Sequence, residues 1–160
     1  MDLGAQLHAE LLLRGQTVSS AESLTGGAVA QTLSATPGAS ATFVGGVVSY
    51  ATAVKVEVLR VPESLVEEHG VVSAACATAM AQGVRALLGT DWAVSTTGVA
   101  GPDGQESKPV GLVYVGLAGP DGARAAELHL TGDRAGIRAA AVEAAVSLAL
   151  EAVRAVGATG

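Results

Sequence analysis

At 160 residues the chain has the length of one domain and enough of it to bury a core. Apolar residues make up 49% and charged residues 15%, which excludes a disordered chain; a net charge of −6 disfavours nucleic acid and anionic membrane as partners. The lone Cys76 excludes a disulfide framework and a cysteine-built zinc site, and His8, His69 and His129 lack ligand spacing, so neither metal nor cofactor is expected.

Leu3, Leu7, Leu11 and Leu12 repeat with a helical period that Gly15 stops, predicting a helix over 2–14. Residues 17–21 predict a short strand, after which Gly26 and Gly27 open a helix that ends near Thr36, before Pro37-Gly38. The apolar, β-branched segment 43–50 predicts a buried strand. Pro62 divides two short helices, 52–60 and 63–69. Ser73 caps a helix that runs through Leu88 to Gly89. Residues 92–97 predict a strand feeding a Gly/Pro loop over 98–108. Segments 110–117 and 123–130, joined by Gly119-Pro120-Asp121-Gly122, predict an antiparallel hairpin turned on the Asp-Gly pair. Asp133 caps a last helix reaching Val156, whose Ala-rich faces suit close packing on a sheet. The pattern predicts one three-layer α/β domain over 1–160, with a mixed sheet flanked by helices on both faces. No run approaches the ~18 apolar residues of a membrane span, and the N-terminus carries no leader pattern, so a soluble, cytoplasmic chain is expected.

Four segments carry more polar chemistry than connections need. In Ala21-Glu22-Ser23-Leu24-Thr25-Gly26-Gly27 a hydroxyl sits at a strand-to-helix junction. It either caps the helix or helps the helix N-terminus hold a phosphate or an oxyanion. Gly45 and Gly46, inside a predicted strand, mark a bulge or the close approach of another group. Tyr50 follows, and Lys55 lies among Val54, Val56 and Val58. Lys55 is either a desolvated amine, neutral enough to act as a base, or a snorkelling surface cation. The run Ser95 to Gly104 is long and hydroxyl-rich where α/β sheets bind ligands, at a strand's carboxyl end. Arg134 and Arg138 share one face at a helix N-terminus, where cations are disfavoured. A bound anion removes that conflict, and so does pairing with an acid such as Asp133. Together the segments imply a pocket for a small phosphorylated molecule.

The set resembles the CinA family, specifically its C-terminal domain. The matching stretches are AESLTGG at 21–27, the run from Phe43 through GGVVSY to Lys55, TTGVAGPDG at 96–104, KPVG at 108–111 and TGDRAGIR at 131–138. They occur in the family's order and cover nearly the whole chain. The resemblance is to the stand-alone form, without the molybdopterin-binding-like domain that larger members carry. It implies a nicotinamide-nucleotide amidohydrolase, which converts nicotinamide mononucleotide to nicotinate mononucleotide and ammonia in pyridine nucleotide recycling. It implies Ser23 as nucleophile, Lys55 as its base and Tyr50 as a positioning or proton-relay group. Thr25, Gly26, Gly27, Gly46, Thr97 and Gly98 are implied in binding the substrate, with Arg134 on its phosphate and Arg138 a weaker companion. A homo-oligomer is implied too. The alternatives are a non-catalytic nucleotide-binding module of the same fold and an amidohydrolase for another small amide. Only Lys55 and Lys108 among the nine basic residues are Lys, and both fall inside matched stretches. Arg cannot serve as a base at neutral pH, which gives the surviving lysines weight.

Overall fold

The computed structural model describes residues 1–158. Six helices and five strands follow one another as α1 (Leu3–Arg14), β1 (Val18–Glu22), α2 (Ala28–Ser34), β2 (Phe43–Val48), α3 (Thr52–Glu57), α4 (Glu63–His69), α5 (Ala74–Leu88), β3 (Trp92–Gly98), β4 (Leu112–Gly119), β5 (Gly122–His129) and α6 (Arg134–Ala158). The strands form one mixed sheet in the order β2-β1-β3-β4-β5, parallel across β2-β1-β3 and antiparallel across β3-β4-β5. Two apolar layers sit on its faces. Val18, Val94, Val113, Val115 and Leu117 pack under α1, α2 and α6, through residues such as Leu7, Leu33, Ile137 and Leu150. Ala21, Ala93, Tyr114 and Ala118 pack against α5 through Cys76, Met80 and Val84. The three-layer architecture is therefore the one the sequence pattern predicts.

Local chemistry sets most boundaries. Asp2 caps α1 by accepting from the Ala5 amide at 2.8 Å, Ser73 caps α5 through the Cys76 amide at 3.1 Å, and Asp133 accepts from the Gly136 amide at 2.8 Å. Gly15 and Gly89 close α1 and α5 in the left-handed conformation, at φ of 63° and 65°. Gly116 lets α5 come close to the sheet, because a Cβ there would lie 2.4 Å from the Ala77 carbonyl oxygen.

Several boundaries differ from the sequence reading, among them the end of α3, at Glu57 instead of residue 60. Strand β2 is an edge strand with every second residue exposed, and it ends at Val48, two residues early. Its burial is partial because nothing pairs beyond it in the sheet. The hairpin strands slide toward the turn, β4 by two residues and β5 by one, since Gly111, at φ +93°, holds its N–H on the Val99 carbonyl before β4 begins. The turn itself is the two-residue Pro120-Asp121, with Gly122 already opposite Gly119 in the ladder. Helix α2 starts at Ala28 and spans seven residues, a turn shorter than expected.

Candidate active site

The carboxyl ends of the three parallel strands β1, β2 and β3 converge on a cleft of about 180 Å³. Ser23 and Leu24 line it from the end of β1, Tyr50, Thr52 and Lys55 from the end of β2 and from α3, and Thr97 to Gly101 from the end of β3. Val71, Val72, Asp103, Gln105 and Arg134 complete the wall. Ligands of open α/β sheets bind at this place, where the chain leaves a central strand in one direction and returns in the other.

Lys55 is the largest fully buried side chain, 1% exposed. Its Nζ lies 2.6 Å from the Ser49 carbonyl oxygen, 3.2 Å from that of Tyr50 and 2.9 Å from Ser23 Oγ. Burial pushes the amine below its ordinary value, opposed by the nearby Cys76 and Glu106. Two of its three partners are carbonyls, which only accept. Nζ donates to all three oxygens; once it gives up one proton, two hydrogens can stay on the carbonyls and the lone pair is left for the Ser23 hydroxyl. The snorkelling alternative for Lys55 is excluded by this burial.

The turn after β1 is held by a carboxylate the sequence reading passed over. Glu22, buried, accepts from the Val29 amide at 2.7 Å, the Ala30 amide at 3.1 Å and the Thr25 hydroxyl at 2.6 Å. Glu22 therefore caps α2, and neither Ser23 nor Thr25 does. The Val29 and Ala30 amides of that helix N-terminus are thus taken up by the Glu22 carboxyl group. Thr25 is buried behind the turn and also meets the Thr96 hydroxyl at 2.7 Å. The Ser23 amide donates to the Thr96 carbonyl at 3.0 Å. These bonds leave the Ser23 hydroxyl to Lys55 and, among the described residues, give the Leu24 and Thr25 amides no acceptor.

The remaining predicted site residues separate into two groups. Thr97 and Gly98 line the cleft, and Thr97 donates its hydroxyl to the Val71 carbonyl at 2.7 Å. Arg134 lines it too, donating to the Gly101 carbonyl at 2.7 Å and to the Tyr50 hydroxyl at 3.1 Å. The Tyr50 ring is 60% exposed and its hydroxyl bonds Arg134, while its carbonyl serves Lys55. Thr25, Gly26, Gly27, Gly46 and Arg138 do not line the cleft. Gly46 marks a close approach, since a Cβ would sit 2.4 Å from Ser20 Oγ, and the pairing slips beside it between Val18 and Ser19. Arg138 donates to the Leu24 carbonyl at 2.9 Å and the Thr25 carbonyl at 3.3 Å. Neither arginine pairs with Asp133 among the described residues; carbonyl oxygens resolve the conflict that spacing left open.

Glu106 is a further residue that spacing gave no reason to name. It accepts from the Val71 amide at 3.0 Å and the Val72 amide at 3.1 Å, fastening the Gly/Pro loop across the cleft to the start of α5. No group of three metal-ligating side chains occurs among the described residues, and no helix there is long and apolar enough to cross a membrane.

A family model described as the CinA C-terminal domain matches residues 1–153. A CinA-like protein of Frankia casuarinae is 52% identical over 138 residues, 86% of this chain and 32% of that protein. A CinA-like protein of Parasynechococcus marenigrum is 47% identical over 153 residues, 95% of this chain and 36% of that protein. The chain thus spans about a third of the length of these curated relatives. Among solved structures, a competence-damaged protein (CinA) superfamily protein from Klebsiella pneumoniae superposes with a TM-score of 0.92 at 32% identity, covering 95% of this chain and 96% of that one. A competence/damage inducible protein from Agrobacterium tumefaciens superposes at 0.90 and 34% identity, covering 95% and 93%.

Proposed function

The chain belongs to the CinA C-terminal domain family, and from that premise we propose that it hydrolyses the carboxamide of nicotinamide mononucleotide to nicotinate mononucleotide and ammonia. The observation that carries the reading is the 2.9 Å contact between Ser23 Oγ and a buried Lys55 amine whose other two partners are carbonyls. In water a serine hydroxyl is a poor nucleophile, and a neutral amine at this distance activates it.

The steps follow from the groups present. Ser23 Oγ attacks the carboxamide carbon and gives its proton to Lys55 Nζ. Oxyanion charge develops beside the Leu24 and Thr25 amides, which have no acceptor among the described residues. Lys55 returns the proton to the departing nitrogen, which leaves as ammonia, and an acyl ester remains on Ser23. Lys55 then takes a proton from water, the hydroxide adds to the ester, and collapse frees the carboxylic acid as Lys55 hands that proton to Ser23; the acid ionises as it leaves, its proton passing to solvent. At the mouth, Arg134 is oriented by the Gly101 carbonyl and the Tyr50 hydroxyl, with guanidinium donors left for a phosphate. Serine–lysine pairs on other folds divide the labour in the same way, which supports the reading by analogy only.

Ammonia release from nicotinamide mononucleotide, nicotinamide, the dinucleotide and simple amides, measured in parallel, tests the proposal. Release from the mononucleotide alone is the expected result. Tight binding without release would instead identify a nucleotide-binding module, and release from another amide would reassign the substrate.

A further inference from the structure

Arg138 sits on the wrong side of the turn to meet a ligand. Its Nε and Nη2 hold the Leu24 and Thr25 carbonyls, and it is separated from Leu24 by 114 residues of chain. Ser23 and Leu24 line the cleft and Arg138 does not, so the guanidinium lies behind the turn and the cleft in front of it. The Leu24–Thr25 peptide is trans, which points its C=O and N–H in opposite directions. Fixing the Leu24 carbonyl on Arg138 therefore turns the Thr25 N–H to the side away from Arg138. That N–H has no acceptor among the described residues, although Thr25 is fully buried.

The other contacts of the turn leave this task to Arg138. The Gly26 amide closes on the Ser23 carbonyl at 3.1 Å, and the Ala28 amide on the Thr25 carbonyl at 3.0 Å. Glu22 and Thr96 hold the Thr25 side chain. Only Arg138 holds the Leu24 carbonyl among the described residues. A planar guanidinium can grip two successive carbonyls at a fixed angle, which a lysine ammonium does less well. Gly26 makes the grip possible, since a Cβ there would lie 3.1 Å from Arg138 Nη2 and the residue sits at φ +58°.

We propose that Arg138 is a positioning residue: working through the backbone, it aims the Thr25 amide at the oxyanion that forms when Ser23 attacks, and it makes no contact with the substrate's phosphate. The inference rests on Ser23 as the nucleophile. Its test combines steady-state kinetics on nicotinamide mononucleotide with the rate at which a fluorophosphonate phosphonylates Ser23. That second reaction also places negative charge on an oxygen beside the turn, whatever the natural substrate.

Arg138→Met should lower kcat by about a hundredfold, the scale of losing one oxyanion donor, and slow phosphonylation comparably. KM should stay within about threefold, since uniform substrate binding is untouched. Arg138→Lys, which keeps the charge and a donor, should regain part of the loss. A raised KM with unchanged kcat in Arg138→Met, or phosphonylation at the unaltered rate in both Arg138 variants, overturns the proposal. If the unaltered protein is phosphonylated at Ser23 yet releases no ammonia from the mononucleotide, the substrate reading fails and Arg138 is judged on phosphonylation alone. A Ser23 that the probe never labels sinks both.

Discussion

The two halves of the sheet bury different chemistry. Strand β4, in the antiparallel half, is buried along all eight residues and is apolar apart from the Tyr114 hydroxyl, which reaches Glu127 at 2.6 Å. Strands β1 and β3, in the parallel half, bury Ser19, Ser20, Glu22, Ser95, Thr96 and Thr97. Burying a polar group without a partner is costly, and here nearly every one is partnered: Ser95 on the Ala77 carbonyl, Ser19 with Thr90, Thr97 on the Val71 carbonyl. Ser20 Oγ, against Gly46, is the exception among the described residues. The antiparallel half thus contributes a scaffold of shape, and the parallel half a scaffold of hydrogen bonds ending at Ser23 and Lys55.

That division can be broken by experiment. The largest effect belongs to the paired groups: Ser23→Ala and Lys55→Ala should each lower ammonia release by more than about a thousandfold, with circular dichroism unchanged. Appreciable turnover in either would remove the reaction from this end of the sheet. Next comes Leu117→Ala in β4, which should cost about 2–5 kcal/mol of stability in denaturant melts and leave kcat of the folded protein unaltered. A large kcat loss there would show that the halves are not separable. Glu22→Gln should cost about 1–3 kcal/mol, because an amide cannot accept from three donors as the carboxylate does. Unlike Leu117→Ala, it should lower kcat as well, since the cap also sets the Ser23 turn.

The smallest effect is one of pH. The reaction needs Lys55 neutral, so kcat/KM should fall about tenfold per pH unit below the amine's value, which burial holds under 10.5. Stability shares the sign. Between the lowered folded value and 10.5 the unfolded chain binds more protons, so stability rises with pH across that window. An activity profile flat through the same range would separate Lys55 from the chemistry.

Much of this contrast was legible in the sequence. Periodicity, caps and glycine stops place every helix and strand to within a few residues, and the hydroxyl-rich loops mark the end of the sheet where the cleft lies. Ser23 and Lys55, 32 residues apart, come together as the family resemblance implies. What escaped has one physical cause. Glu22 reads as one polar residue of the segment after the first strand until α2 folds back onto it, and Arg138 reads as a companion of Arg134 on a bound anion until α6 crosses the Ser23 turn. Such roles depend on partners distant in the chain, which no local pattern encodes. Edge strand β2 escaped similarly, because apolar composition cannot tell a central strand from one with a neighbour on one side only.

The glycine at position 116 has a reach beyond its own strand. By letting α5 settle onto the sheet, it also fixes the depth of Cys76, a residue of that helix whose thiol burial raises to about 11 and whose charge field touches Lys55. A missing methyl group in the scaffold half therefore takes part in placing a thiol that acts on the reacting amine. A methyl added there would meet the Ala77 carbonyl oxygen at 2.4 Å, so helix and strand could no longer keep their present spacing.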